Sequence, residues 1–307
     1  MRKIVRYLER ELSKRHKVLT VRTKRLASWA EVRAFHPDII HSVLTPTTPG
    51  FVEARLMALC FPSAKRVISA PQASALRFRR LLRHFRPDLV LTQSDESERM
   101  LQSLGMRTEF LPNGVDPETF HPVTAEAKAA LRDRYGVPSR TFVALHVGPV
   151  KKGRNLRWLT RLQTDGCQVL VLGRPSQTPE EDLRQELLSA GCWVWPQYVE
   201  AVQEVYQLSD AYVFPTLNPL NCIETPLSVL EAMACNLPVI TTRFGALPRL
   251  FSEAKGLSFV DSEEELSKGV AEARAGGCGA DTRRVVSPYS WAEVVDRLEK
   301  IYGDLVG

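Results

Sequence analysis

The 307-residue chain has no apolar run approaching the roughly 18 residues that would read as a membrane span. Its opening, MRKIVRYLERELSKRHK, is too polar for a secretory leader, so a cytoplasmic protein is expected. Cysteine is sparse and scattered: Cys60, Cys167, Cys192, Cys222, Cys235 and Cys278 form no CxxC pair and lie mostly inside apolar runs. That usage argues against a zinc site or a disulfide framework and fits reduced, buried thiols. Glycine does not occur before Gly50, and there is neither a low-complexity tract nor a short internal repeat.

What is present is an ordinary globular composition, 44% hydrophobic and 25% charged, which excludes disorder as the default and gives two domains enough chain for separate cores. The net charge of +6 hides an asymmetry: residues 1–120 hold 21 Lys and Arg against 12 Asp and Glu, and the remainder 20 against 23. The basic half suits an anionic partner such as an acidic lipid surface or a phosphorylated acceptor. Nucleic acid is not expected, because no recognised nucleic-acid motif accompanies the charge.

Short apolar runs alternate with helix-length amphipathic stretches, the pattern of an α/β protein with parallel sheets. Strands are expected at 17–21, 38–43, 66–69, 88–92 and 108–111, then at 141–147, 167–172, 192–195, 211–215 and 238–242. The loop PNGVDPETFHPV, residues 112–123, with three prolines and a glycine, divides the two sets. Two domains follow, 1–122 and 123–289, with a last helix over 290–307 free to pack back on the first. Ser290 and Glu293 have the spacing of a capping box at its start.

Three constellations can carry chemistry. In residues 209–248, Thr225 and Pro226 stand as helix cap and first helical residue before LSVLEAMAC, a helix apolar almost all round. Glu231 sits inside it. A carboxylate there needs hydrogen bonds, supplied either by paired ligand hydroxyls such as those of a ribose or by backbone or an arginine. Glu224 lies two helical turns earlier and can face the same side, or be solvated. Backbone N–H groups over 225–228, including Thr225, Leu227 and Ser228, can receive phosphate at a helix N-terminus.

In FVALHVGPVKKGRNL, residues 142–156, an apolar strand delivers Gly148, Lys151, Lys152, Gly153 and Arg154 to one loop. The glycines permit close backbone approach, and the cations suit a diphosphate or a solvated surface. The third stretch, residues 86–122, carries a helix cap at Ser94-Asp95 and a tight turn at Asn113-Gly114.

These motifs, VLEAMACNLPVITTRFGALP above all, together with the PNGVD linker, resemble the retaining GT-B glycosyltransferases of family four. The resemblance implies two Rossmann-like domains facing across a cleft, with an N-terminal acceptor domain and a C-terminal nucleotide-sugar donor domain. It implies that Glu231 binds the nucleotide ribose and that Lys152 faces the diphosphate. Where the family has its first glutamate, arginine and glycine-rich turn, this chain has Ile223, Pro149 and TPLS. Glu224 stands one residue late as a candidate sugar ligand, and Arg154 or Lys151 as candidate compensating cations. In the first domain the family's H-x-H pair is represented by His41 alone, a candidate catalytic residue, and the glycine-rich first loop is missing, so that domain is expected to be shortened.

The resemblance further implies a hexosyltransferase-like enzyme that retains configuration. It uses a nucleoside-diphosphate sugar as substrate, without cofactor, on a glycan, lipid or small-molecule acceptor. No DxD occurs, so a metal is not expected. Two alternatives stay open: a degenerate, non-catalytic nucleotide-binding or scaffold protein, and a nucleotide-sugar epimerase of the same architecture. Residues 75–86, ALRFRRLLRHFR, are read either as a packed crossover helix with a basic outer face or as a peripheral contact with the inner membrane face.

Overall fold

The computed structural model describes residues 1–21, 29–73, 84–164, 166–173, 180–195, 199–276 and 279–307. Most of the basic stretch 75–86 lies outside them, as does Cys278. The described residues form two compact units. One comprises Met1–Gly114, Ile223–Thr225 and Trp291–Gly307; the other comprises Val115–Cys222 and Pro226–Ser290.

The first unit holds a parallel sheet in the order β1-β2-β3-β4, with β1 Ile39–Val43, β2 Lys65–Ala70, β3 Leu89–Thr92 and β4 Thr108–Phe110. Strand β3 is buried along its length, as expected where helices cover both faces of a parallel sheet. The stretch 17–21, expected as a strand, has no regular structure. Leu19 and Val21 instead pack against Val32, Phe61 and Ala64, so their apolar surface is buried without any ladder. The helix Arg2–Leu12 turns Ile4, Leu8 and Leu12 inward at a spacing of four residues. It packs on the helix Trp291–Val306, and Tyr7 stacks on Trp291 with ring centroids 5.2 Å apart.

The second unit is a six-stranded parallel sheet among the described residues. Its strands are β5 Phe142–Val147, β6 Cys167–Leu172, β7 Trp193–Trp195, β8 Ala211–Phe214, β9 Val239–Thr241 and β10 Leu257–Phe259. The order is β10-β9-β8-β5-β6-β7. Counted from β5, that is 3-2-1-4-5-6 read in reverse, the Rossmann order with its reversal between β5 and β8. Strand β10, which the sequence reading did not assign, is only three residues long and follows Gly256, whose φ of +87° suits glycine.

Among the described residues no helix is long and apolar enough to cross a membrane.

Candidate functional site

In an open parallel sheet, the loops leaving two neighbouring strands on either side of the order reversal turn to opposite faces and leave a crevice at the strands' C-terminal ends. Here those loops are 148–156, after β5, and the segment that follows β8. What fills the crevice floor is polar. His146, on β5, is fully buried, and its Nδ1 lies 3.0 Å from the Val213 carbonyl oxygen on β8. A carbonyl can only accept, so Nδ1 carries the proton and Nε2 keeps a lone pair. Burial, reinforced by the nearby Arg154 charge, pushes the imidazole down to about 3, so it is neutral.

Gly148 follows. A Cβ at this position would stand 2.6 Å from Arg154 Nη1 and 3.2 Å from His146 Nε2, so only glycine leaves room for the guanidinium. Arg154 ends the short 3₁₀ turn Lys152–Arg154, which Asn155 terminates in the left-handed conformation, φ +55°. Its side chain is buried, and Nη2 donates to the Asn221 carbonyl oxygen at 2.9 Å. A Cβ on Gly153 would collide with the Asn221 amide, so this second glycine also serves close packing. His146 Nε2, Arg154 Nε and Thr216 Oγ1 are all buried without a partner among the described residues. Unpaired polar atoms of this kind cost free energy, and their gathering at one crevice marks a place built for something polar.

Lys152 is placed otherwise. Its side chain is exposed and paired with Asp182, while its backbone N–H donates to Glu180 Oε2 at 3.0 Å. Lys151 is half-buried. The cation sealed beneath Gly148 is therefore Arg154.

The helix Leu227–Ala234 is buried along almost its whole length, Ser228 being half-exposed. Its N-cap is Pro226, at φ −66° and ψ 116°, without a side-chain cap. Thr225, expected as the cap, instead gives its carbonyl oxygen to Asn113 Nδ2 at 2.9 Å, which holds it outside the helix. Glu231 is 6% exposed and accepts a hydrogen bond of 2.9 Å from the Tyr206 hydroxyl on the helix Val202–Leu208. Burial, with Glu231's charge added, raises the Tyr206 phenol well above its ordinary value, so it remains a donor.

Glu224 lies in the first unit, 1% exposed, with Oε1 accepting from Ser94 and Ser97 hydroxyls at 2.6 Å each. Its backbone N–H donates to the Pro71 carbonyl at 2.7 Å. Burial raises its carboxyl pKa, and the two serines pull it back. His41 has Nδ1 2.6 Å from the Tyr302 hydroxyl and Nε2 2.7 Å from Ser69 Oγ. Desolvation lowers it to about 4, and both of its nitrogens are engaged at the middle of β1.

The site thus brings together Gly148, Gly153 and Arg154 from the sequence reading, and adds His146, Tyr206, Thr216 and Asn221. His146 had a legible signal, a polar residue inside the apolar run FVALHV; the other three become visible only through their contacts.

Two Rossmann-like parallel-sheet units define the GT-B class of glycosyltransferase folds. A glycosyltransferase from Rickettsia africae matches with a TM-score of 0.76 over 97% of this chain and 87% of its own, at 16% identity. Anabaena HepE in complex with UDP matches with 0.73 over 90% and 81%, at 15% identity. In sequence, residues 143–274 match the model of the family glycosyl transferases group 1. The D-inositol 3-phosphate glycosyltransferase of Geodermatophilus obscurus is 30% identical over 239 residues, covering 70% of this chain and 52% of the relative. The chain spans about half the length of the curated relatives it matches.

Proposed function

We propose that this protein transfers a sugar from a nucleoside-diphosphate sugar to an acceptor, with retention of configuration, and that no metal or cofactor takes part. The observation that carries this reading is the buried Arg154 guanidinium packed beneath Gly148 where β5 and β8 part. A fixed planar cation under an unobstructed backbone suits the diphosphate, whose charge grows as the sugar leaves. Glu231 takes the ribose hydroxyls, and the N-terminus of Leu227–Ala234 adds positive partial charge. The excess of Lys and Arg in residues 1–120 favours an anionic acceptor, and an inositol phosphate, named for the relatives, is the first to try.

A second reading, nucleotide binding without turnover, has one observation in its favour: Glu224, the candidate sugar ligand, is only 1% exposed, and its Oε1 is taken by Ser94 and Ser97. Thermal shift with UDP, GDP and ADP and their glucose conjugates, followed by transfer assays, separates the two. Stabilisation with turnover supports the enzyme, and stabilisation without turnover across broad donors and acceptors supports the binding protein. No stabilisation by any of them sinks both.

A further inference from the structure

Glu231 poses a physical problem that the donor reading leaves unsolved. It is a carboxylate on a helix whose neighbouring side chains are Val229, Leu230, Ala232 and Met233, all buried. A long side chain in such surroundings has several rotamers to choose from, and a ribose contact needs one of them held in advance. Tyr206 supplies a fixed point. It is fully buried, its ring meets Phe120 edge-on at 5.6 Å and tilts against Tyr212 at 5.9 Å, and its hydroxyl is 2.9 Å from Glu231 Oε2. Two packed neighbours leave the phenol little freedom, so the position of its hydroxyl is set by the core of the unit.

The same ring system reaches the other end of the site. Tyr212 stacks on His146 at 6.4 Å, and His146 Nε2 stands under Gly148 beside Arg154. Glu231 and Arg154 are thus referenced to one rigid aromatic row, Tyr206-Tyr212-His146, which runs through the crevice floor. A carboxylate has about four lone-pair positions, and the bond from Tyr206 takes one of them.

We propose that Tyr206 is a positioning residue for nucleotide recognition: by donating to Glu231 Oε2 it holds the carboxylate in the orientation that reads the two ribose hydroxyls. The inference rests on the donor reading above. It gives Tyr206 no contact with the ligand, so its effect passes entirely through Glu231.

The test measures affinity for UDP and 2′,3′-dideoxy-UDP by calorimetry in wild type, Tyr206→Phe, Glu231→Gln and the double variant. Tyr206→Phe keeps the ring and its packing and removes only the hydroxyl. It is expected to weaken UDP about three- to tenfold while leaving the dideoxy nucleotide within about twofold, so selectivity for the ribose falls. The double variant is expected to bind UDP no more weakly than Glu231→Gln alone, because neighbours acting through one contact are not additive. It carries no buried charge left without its donor, and stays informative if Tyr206→Phe folds poorly.

A structural role for Tyr206 would weaken both nucleotides alike and add to Glu231→Gln, which overturns the proposal. UDP binding lowered by Glu231→Gln but untouched by Tyr206→Phe sinks the positioning role and spares the donor reading. UDP binding indifferent to Glu231→Gln removes both. If wild type does not bind UDP, the same comparison is made with GDP and ADP, and absence of binding to all three also removes both.

Discussion

Position 148 admits no side chain, because Arg154 Nη1 and His146 Nε2 already occupy the space a Cβ would need. Gly148→Ala is expected to displace the guanidinium and lower nucleoside-diphosphate affinity about tenfold, with about 1–3 kcal/mol lost in stability from overpacking. Calorimetry and chemical denaturation measure the two separately. Arg154→Ala should cost about ten- to a hundredfold in the same binding assay, as for a lost charge-assisted bond. Lys152→Ala should cost less than about threefold, since that amine is solvated and paired with Asp182.

The two buried histidines make a pH prediction. His146 is held at about 3 and His41 at about 4, both below the unfolded value near 6.5. Above about pH 6.5 both are neutral folded or unfolded and stability is unaffected. As pH falls below that, the unfolded chain takes up protons that the native state refuses, so stability declines towards each folded value. Near pH 5, His146→Phe, if it folds, should flatten the slope of unfolding free energy against pH by up to about 1.4 kcal/mol per unit relative to wild type. An unchanged slope would show that this imidazole is not shielded as described.

At the scale of single residues the sequence was readable where chemistry is local: a glycine after a strand, cations beside it, a carboxylate in an apolar helix. It put Lys152 ahead of Arg154, because which of two neighbouring cations turns inward depends on Asn221 and Asp182, 67 and 30 positions along the chain.

Elements were legible where burial is continuous. Residues 167–172 match β6 at both ends, and the apolar runs elsewhere locate β1 to β5 and β7 to β9 to within two residues at each end. Lys17 to Val21 has the same local pattern and still forms no strand, since its apolar side chains find the cluster around Phe61 without pairing. Strand β10 was missed for the opposite reason, having three residues and a single alternation. The helix Asp95–Ser103 illustrates one side chain serving two elements. Ser94 accepts from the Ser97 backbone N–H at 3.1 Å as its N-cap, and its hydroxyl donates to Glu224. Ser94→Ala is therefore expected to cost about 1–3 kcal/mol, more than an ordinary cap, because a buried carboxylate also loses a donor. Denaturant unfolding reads the loss, and a cost below about 0.5 kcal/mol would contradict the shared role.

For the whole molecule, ligand linkage gives a direct measure of the donor reading: a nucleoside diphosphate at a hundred times its Kd should raise unfolding free energy by about 2.7 kcal/mol. The division into units has a separate consequence. Trp291, Val294, Val295, Leu298, Ile301 and Leu305 are buried on the last helix, which belongs to the first unit. Removing residues 291–307 should abolish amide-exchange protection in residues 1–114 while leaving it largely intact over 115–290, as hydrogen exchange would reveal.

That arrangement also sets a timetable on the ribosome. The helix Arg2–Leu12 is translated before residues 115–290, yet the helix Trp291–Val306 on which it packs is translated after them. The β5 to β10 unit is complete in the nascent chain before Trp291 is added, so of the two units the one begun earlier is the one completed later.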